Sequence, residues 1–163
     1  MILVSLLIKL FDNGPIIFKQ KRIGLNNNNF YIYKFRSMPL NTSNIPSDEI
    51  SELNLNWLSN LIRRTNIDEL PQFYNILKGD MSVVGPRPAL PSQKELIDFR
   101  KKNGVMLFRP GLTGLAQISA YDGMQNNIKV EYDVKYVRSI TFMSDIFIIL
   151  KTLIYLLKPP PIY

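Results

Sequence analysis

Two adjacent carboxylates, Asp68 and Glu69, are the side chains of this sequence best suited to nucleophilic, acid–base or metal chemistry. The 163 residues include no histidine and no cysteine, which excludes imidazole catalysis, thiol nucleophiles, disulfides and Cys/His zinc sites. Any catalysis must therefore use carboxylates, lysine, arginine, tyrosine or hydroxyl groups. Taken alone, the pair is better explained as a helix start, because Asp is a favoured N-cap and Glu is favourable in a first turn.

Basic side chains elsewhere in the sequence favour a phosphorylated substrate for this pair. Guanidinium groups bind phosphate through two parallel hydrogen bonds, and a diphosphate usually arrives with Mg²⁺ held by one or two carboxylates. One carboxylate can then hold the metal while its neighbour attacks phosphorus and forms an acyl-phosphate. The basic residues that we single out are Lys34, Arg36, Arg63, Arg64 and Arg87.

Arg87 has the most restricted backbone of these residues, because Pro86 and Pro88 flank it. Proline fixes its own φ angle and restricts the residue before it, which suits a side chain that must be held in one place. A plain rigid turn is the alternative at this position. For the basic residues as a group, the alternative is a solvated face or one that binds lipid headgroups.

Two of the basic residues are predicted to lie on a β-hairpin. A turn signal at residues 13–15 precedes a short strand over 16–19, and an aromatic-rich strand follows over 30–37, after four consecutive asparagines. Alternation along the second strand puts Lys34 and Arg36 on one face.

Helices are predicted on both sides of the carboxylate pair, after a loop over 39–46. One is capped by Ser47 and ends near Arg64. Its apolar positions are Ile50, Leu53, Trp57 and Leu61. The next begins near Asp68, tolerates Pro71 only in its first turn and closes at Gly79. Its apolar positions are Leu70, Phe73 and Leu77. A further helix is predicted over 92–102.

The two ends of the sequence indicate contact with a membrane. Residues 1–12 include an apolar run shorter than the roughly 20 residues that cross a bilayer, and 144–157 form an apolar helix capped by Ser144 or Asp145. Lys and Arg number 20 against 13 Asp and Glu, a net charge of +7 that favours anionic partners. We predict one α+β domain over 1–163, rich in helices, with a short hairpin and interfacial apolar or amphipathic helices.

Six sequence blocks, in this order, resemble the bacterial sugar transferase family, the small monotopic polyprenyl-phosphate phosphoglycosyl transferases. The blocks are FKQKRIG (18–24), YKFRSM (33–38), RRTNIDELPQ (63–72), NILKGDMS (75–82), VGPRP (84–88) and RPGLTGLAQ (109–117). The resemblance runs from about residue 14 to 157.

The resemblance implies transfer of a sugar 1-phosphate from a UDP-sugar to undecaprenyl phosphate with release of UMP. This reaction begins the assembly of surface glycans such as capsule, exopolysaccharide or lipopolysaccharide O-antigen, at the cytoplasmic face of the bacterial inner membrane. By similarity Asp68 is the nucleophile and Glu69 the Mg²⁺ ligand, while Lys34, Arg63 and Arg87 match active-site positions. Asp133 matches a further acidic position that we group with the substrate-binding residues.

Two departures from the family pattern concern the membrane segment and the nucleotide. Family members resemble one another in an N-terminal re-entrant helix, and residues 1–12 match only a remnant of its second arm. We therefore expect the first arm and its kink to be missing from this sequence. After Gln117 the family usually has a Gly-Arg-Asn-like segment, whereas residues 118–123 read ISAYDG and supply no arginine.

Two other functions fit parts of the sequence. A catalytically inactive membrane-bound module would bind a sugar nucleotide or a partner protein without transferring anything. A basic nucleic-acid binder would use the +7 charge and the aromatic residues interleaved with lysine and arginine over 30–36. Nucleic-acid binding gives no reason for Asp68 and Glu69 among basic residues, so we expect no nucleic-acid partner.

Overall fold

The computed structural model describes residues 1–11, 14–38, 57–119 and 124–156. The predicted loop over 39–46, the Ser47 cap and the apolar positions Ile50 and Leu53 lie outside these ranges. Within them the α-helices are α1 (Ile2–Phe11), α2 (Trp57–Arg64), α3 (Gln72–Lys78), α4 (Lys94–Lys102), α5 (Leu115–Ser119), α6 (Asn126–Arg138) and α7 (Phe142–Leu156). The strands are β1 (Ile17–Ile23), β2 (Asn29–Phe35), β3 (Ser82–Val84) and β4 (Gly111–Thr113). This arrangement confirms the predicted small α+β domain.

The predicted hairpin is confirmed, with a longer first strand. β1 and β2 pair in antiparallel register, with Gln20 opposite Ile32. The asparagine run forms their connection, and Asn26 and Asn27 adopt φ angles of 52° and 62°. Asparagine tolerates this left-handed conformation because its short polar side chain can bond locally.

Helix α2 ends at Arg64, as predicted, but it buries a face next to the expected one. Leu58 and Ile62 are buried in a cluster with Ile8 and Phe35, whereas Trp57 is 61% exposed. The helical spacing is therefore correct, and the side of the helix that faces the core is set by the contacts with α1 and β2.

Helix α3 begins later than predicted, at Gln72 after Pro71, and its end is correct. Gly79 caps it with a φ of 85°, and its backbone N–H bonds to the Asn75 and Ile76 carbonyls. The buried residues are Gln72 and Asn75, whereas Leu77 is 87% exposed. The apolar stripe of this helix therefore faces outward.

Two short parallel strands join the segments around Arg87 and Arg109. Ser82 of β3 pairs with Gly111 of β4, and the Gly85 N–H bonds to the Thr113 carbonyl at 2.8 Å. A Cβ at Gly85 would lie 2.7 Å from the Arg109 carbonyl oxygen and 2.8 Å from the Gly111 nitrogen. The close approach of these two backbones therefore requires glycine.

The apolar helix near the C-terminus starts one turn before the predicted cap. Thr141 and Ser144 bond reciprocally, with 2.9 Å from the Thr141 N–H to Ser144 Oγ and 3.1 Å from the Ser144 N–H to Thr141 Oγ1. In the described part of the chain, α1 and α7 included, every helix is too short or too polar to cross a membrane. The predicted domain bounds are not tested by these observations.

Candidate active site

Asp68 lies in a short 3₁₀ helix, Ile67–Glu69, between α2 and α3. Asn66 turns the chain into this helix with a φ of 50°, and neither Asn66 nor Pro71 uses its side chain as a cap. Asp68 is 9% exposed, and its Oδ1 is buried and accepts no hydrogen bond within the described residues. Its interpretation as an N-cap is therefore wrong.

Burial controls the acidity of Asp68. Burial raises the pKa of this carboxyl to about 6, against the opposing positive charge of Lys34. The neighbouring Glu69 raises the same pKa further, and the charges of Arg63 and Arg87 lower it. A carboxylate with a raised pKa and an unoccupied oxygen is a stronger nucleophile than an ordinary one, and at neutral pH it is still ionised.

Glu69 has the opposite environment, although it is the next residue. Lys34 Nζ donates to its Oε1 at 2.7 Å, and Arg87 Nη2 donates to the same oxygen at 3.0 Å. Burial alone would raise the pKa of Glu69, but the charges and hydrogen bonds of Arg87 and Lys34 outweigh it and lower that pKa to about 2. Glu69 is therefore a permanent anion whose second oxygen, Oε2, takes part in neither bond.

Asn75 places Lys34 opposite Glu69, although we did not select it from the sequence, where it begins the block NILKGDMS. This residue is completely buried on α3. Its Oδ1 accepts the Tyr33 N–H at 3.1 Å, and its Nδ2 donates to the Tyr31 carbonyl at 2.8 Å. Because α3 follows directly after Glu69, these two bonds fix the hairpin strand that carries Lys34 against the segment that carries the carboxylates.

Arg22 is a second residue that sequence reasoning did not select as part of the site. Its Nη1 donates to the Pro88 carbonyl at 3.0 Å, and its Nη2 donates to Gln20 Oε1 at 2.6 Å. Burial, together with the charge of Arg87, lowers the pKa of Arg22 to about 10. The signals available in the sequence were its place in the block FKQKRIG (18–24) and the alternation of Gln20 and Arg22 along β1.

The other predicted basic residues are distributed more widely. Arg63, at the end of α2, is partly buried and lowers the pKa of Asp68 through its charge. Arg64 is exposed, and the buried guanidinium of Arg36 packs against Gly14. The structure therefore brings Lys34, Arg63 and Arg87 to the carboxylate pair and places Arg36 and Arg64 elsewhere.

Comparison with known proteins decides the family. Residues 1–159 match the family model described as "Bacterial sugar transferase". The chain belongs to the bacterial sugar transferase family. The buried carboxylate pair and its cationic partners are therefore the candidate active site of a bacterial sugar transferase.

Curated relatives agree with this assignment. The chain is 37% identical to a UDP-N-acetylgalactosamine-undecaprenyl-phosphate N-acetylgalactosaminephosphotransferase of Aeromonas hydrophila, over 94% of this chain and 38% of that protein. It is 36% identical to a UDP-glucose:undecaprenyl-phosphate glucose-1-phosphate transferase of Escherichia coli, over 91% and 34% of the two chains. It is 33% identical to an undecaprenyl-phosphate galactose phosphotransferase of Salmonella typhimurium, and the match covers 86% of this chain and 33% of that protein. The chain thus spans little more than a third of these relatives.

Asp133 was grouped with the substrate-binding residues from the sequence, but the structure shows its carboxylate buried against Arg100. It is 2% exposed on α6, and Arg100 Nε and Nη2 lie 2.8 Å and 2.7 Å from its Oδ2. Its carboxylate faces a buried guanidinium instead of an opening, so its link to the site runs through Arg100.

The carboxylate pair fits Mg²⁺ only if the substrate completes the coordination. In the described residues no group of three or more metal-ligating side chains comes together. Mg²⁺ in enzymes of diphosphate substrates uses one or two carboxylates, with waters and phosphate oxygens in its other positions. Glu69 Oε2, which takes part in neither the Lys34 bond nor the Arg87 bond, meets that smaller requirement as a single carboxylate.

Proposed function

We propose that this chain is the catalytic unit of an undecaprenyl-phosphate sugar phosphotransferase, which transfers a sugar 1-phosphate from a UDP-sugar and releases UMP. The observation that carries the proposal is the contrast within the carboxylate pair. Asp68 is buried and its Oδ1 accepts no hydrogen bond from the residues that the structure describes, whereas Lys34 and Arg87 hold Glu69 as an anion. The names of the curated relatives support the donor and acceptor classes.

In this proposal Asp68 is the nucleophile. Its carboxylate attacks the phosphorus that bears the sugar, the bond from that phosphorus to the bridging oxygen of the diphosphate breaks, and the electron pair leaves with UMP. The phosphosugar is then bound to Asp68. A phosphate oxygen of undecaprenyl phosphate attacks the same phosphorus, and the aspartate carboxylate is released unchanged.

Cations of the chain would stabilise the charge that develops at the transferring group. Arg87 is 44% exposed beside Glu69, so part of its guanidinium is open to a phosphate oxygen. Glu69, with Asp68 beside it, would hold Mg²⁺, which supplies positive charge to the diphosphate when bound. Lys34 orients Glu69 through its 2.7 Å bond.

We further propose that the protein lies on the cytoplasmic face of the inner membrane without crossing it. Large apolar side chains on α1 and α7 are exposed, among them Leu3 at 70%, Leu10 at 78% and Phe142 at 78%. A lipid acceptor requires the site to lie close to a bilayer, and exposed apolar helices suit its interface.

Release of UMP by the membrane fraction tests the proposal. The reaction contains undecaprenyl phosphate, Mg²⁺ and a panel of UDP-sugars, and Asp68→Asn is compared with Asp98→Asn, an exposed aspartate on α4. We expect release with at least one donor, a loss of about 1,000-fold or more in Asp68→Asn, and wild-type release in Asp98→Asn. Wild-type turnover by folded Asp68→Asn would disprove the nucleophile, and donor binding without release would indicate an inactive module.

A further inference from the structure

The turn that carries Arg87 is held by hydrogen bonds to four successive carbonyl groups. Two bonds come from backbone N–H groups and two from arginine side chains that lie far away in the sequence. The pairs are Gly111 N to Pro86 O at 2.9 Å, Arg100 Nη1 to Arg87 O at 2.7 Å, Arg22 Nη1 to Pro88 O at 3.0 Å and Ile23 N to Ala89 O at 2.9 Å.

Arg100 makes the bond to Arg87 itself, and each nitrogen of its guanidinium has a partner. The side chain is 5% exposed on α4. Its Nε and Nη2 lie 2.8 Å and 2.7 Å from Asp133 Oδ2, and Nη1 faces the Arg87 carbonyl. One planar group therefore connects a buried carboxylate on α6 to the backbone of the residue that bonds Glu69.

We infer that Arg100 and Asp133 are positioning residues for the phosphotransfer reaction, which fix the Arg87 backbone so that its guanidinium meets Glu69 and the substrate phosphate. The inference rests on the proposed function for its effect on rate. The restriction that Arg100 and Asp133 place on the Arg87 side chain can be measured without any enzymatic activity.

Two physical arguments favour this role over a purely stabilising one. A buried ion pair is a poor source of stability, because the cost of desolvating two charges can exceed their attraction. Arg87 in turn has a long, half-exposed side chain, and its position is held only if its backbone is held. Pro88 restricts Arg87 to an extended backbone, but neither flanking proline sets the position of the turn relative to α4, which the bond from Arg100 to the Arg87 carbonyl does.

Arg100→Lys is the informative substitution, because lysine keeps the charge beside Asp133. A single ammonium group cannot reproduce the fork that reaches both the carboxylate and the Arg87 carbonyl. The matched control is Arg138→Lys, an exposed arginine on α6. Asp133→Asn is compared with Glu131→Gln, an exposed acid on the same helix.

A double-mutant cycle with Arg87 separates positioning from stability. We expect Arg100→Lys to lower kcat for UMP release by about 10- to 100-fold, the loss typical of one hydrogen bond to a charged group, with little change in KM or Tm. In an Arg87→Ala background the same substitution should cause no further loss. Equal losses in both backgrounds, or a loss that only follows a fall in Tm, would overturn the inference.

Nitrogen-15 relaxation of the Arg87 Nε–H group tests the inference without any turnover. We expect this group to be ordered in the wild type and in Arg138→Lys, and clearly more mobile in Arg100→Lys and in folded Asp133→Asn. An unchanged order parameter in Arg100→Lys would refute positioning. If the wild type released no UMP, the proposed function would fail while this measurement still decided the role of Arg100.

Discussion

The carboxylate site buries charged and polar side chains, whereas the terminal helices α1 and α7 expose apolar ones. Both regions therefore reverse the usual burial of apolar and exposure of polar groups. Around the site, charged and polar groups are buried, including Asp68, Asn75, Arg100 and Asp133. On α7, nine large apolar side chains are exposed instead. The buried polar groups are mostly held by specific hydrogen bonds. The first region has the precision that a polar site needs, whereas the second is a surface suited to an apolar environment.

After Asp68→Asn, removal of the Glu69 charge should have the largest effect on the polar side of this comparison. Glu69→Gln keeps the shape of the side chain but leaves Lys34 and Arg87 facing a neutral amide. We expect UMP release to fall by about 100- to 1,000-fold, comparable to the loss of one preorganised electrostatic group. Steady-state kinetics of Glu69→Gln beside Glu131→Gln measures this, and equal rates would show that the charge of Glu69 is dispensable.

The buried amide of Asn75 should matter more for stability than the exposed apolar stripe of the same helix. Asn75→Ala removes the partners of the Tyr33 N–H and the Tyr31 carbonyl and should lower the free energy of unfolding by about 1–3 kcal/mol. Leu77→Ala, at a side chain 87% exposed, should change it by less than about 0.5 kcal/mol. Urea unfolding of both variants checks the order, and a larger loss in Leu77→Ala would contradict it.

Charge on α7 should weaken membrane binding without affecting the polar site. Leu150 is 55% exposed, and burying that exposed part in lipid is worth about 1 kcal/mol. Leu150→Lys should therefore bind neutral phosphatidylcholine vesicles about fivefold less tightly. Leu107→Lys, at a residue 68% exposed on a 3₁₀ helix beyond α4, is the control for the added charge. Equal loss in both variants would remove α7 from the proposed membrane surface.

The two carboxylates should titrate far apart in the metal-free protein. Burial raises the pKa of Asp68 from 3.8 to about 6, so this carboxyl takes up a proton as the pH falls through that value. Glu69, with a pKa of about 2, should remain ionised throughout that range. Carbon-13 shifts of the two carboxyl groups measure both values, and a common midpoint would contradict the proposed division of roles.

The raised pKa of Asp68 also predicts the direction in which the stability of the protein changes with pH. The pKa of Asp68 is higher in the folded chain than in the unfolded one, so folding favours the protonated form. Stability of the wild type relative to Asp68→Asn should therefore be greatest below pH 3.8 and decline as the pH rises to about 6. Urea unfolding of both proteins across this pH range measures the decline, and a constant difference would contradict the raised pKa of Asp68.

Local rules explain the parts of the fold that could be predicted from the sequence. The hairpin, the end of α2 at Arg64 and the cap at Gly79 each depend on residues within one or two turns of chain. The start of α3 and the cap of α7 were misplaced by about a turn, because several nearby residues can serve as a helix start.

Contacts between distant segments explain what could not be predicted. Asn75, Arg22 and Arg100 are ordinary surface residue types, and nothing local marks them as buried. Lys34 and Glu69 meet across 35 residues, and Arg100 and Asp133 across 33. Which face of α2 or α3 is buried depends in the same way on what packs against it.

The sequence by itself determined the chemical groups of this protein, its family resemblance, the hairpin and the ends of α2 and α3, because these depend on residue type and near neighbours. Only the tertiary structure decided what each of the two adjacent acids can do. Both are carboxylates with nearly the same intrinsic acidity. Burial leaves one with a raised pKa, while a lysine and an arginine brought from 35 and 18 residues away hold the other as an anion.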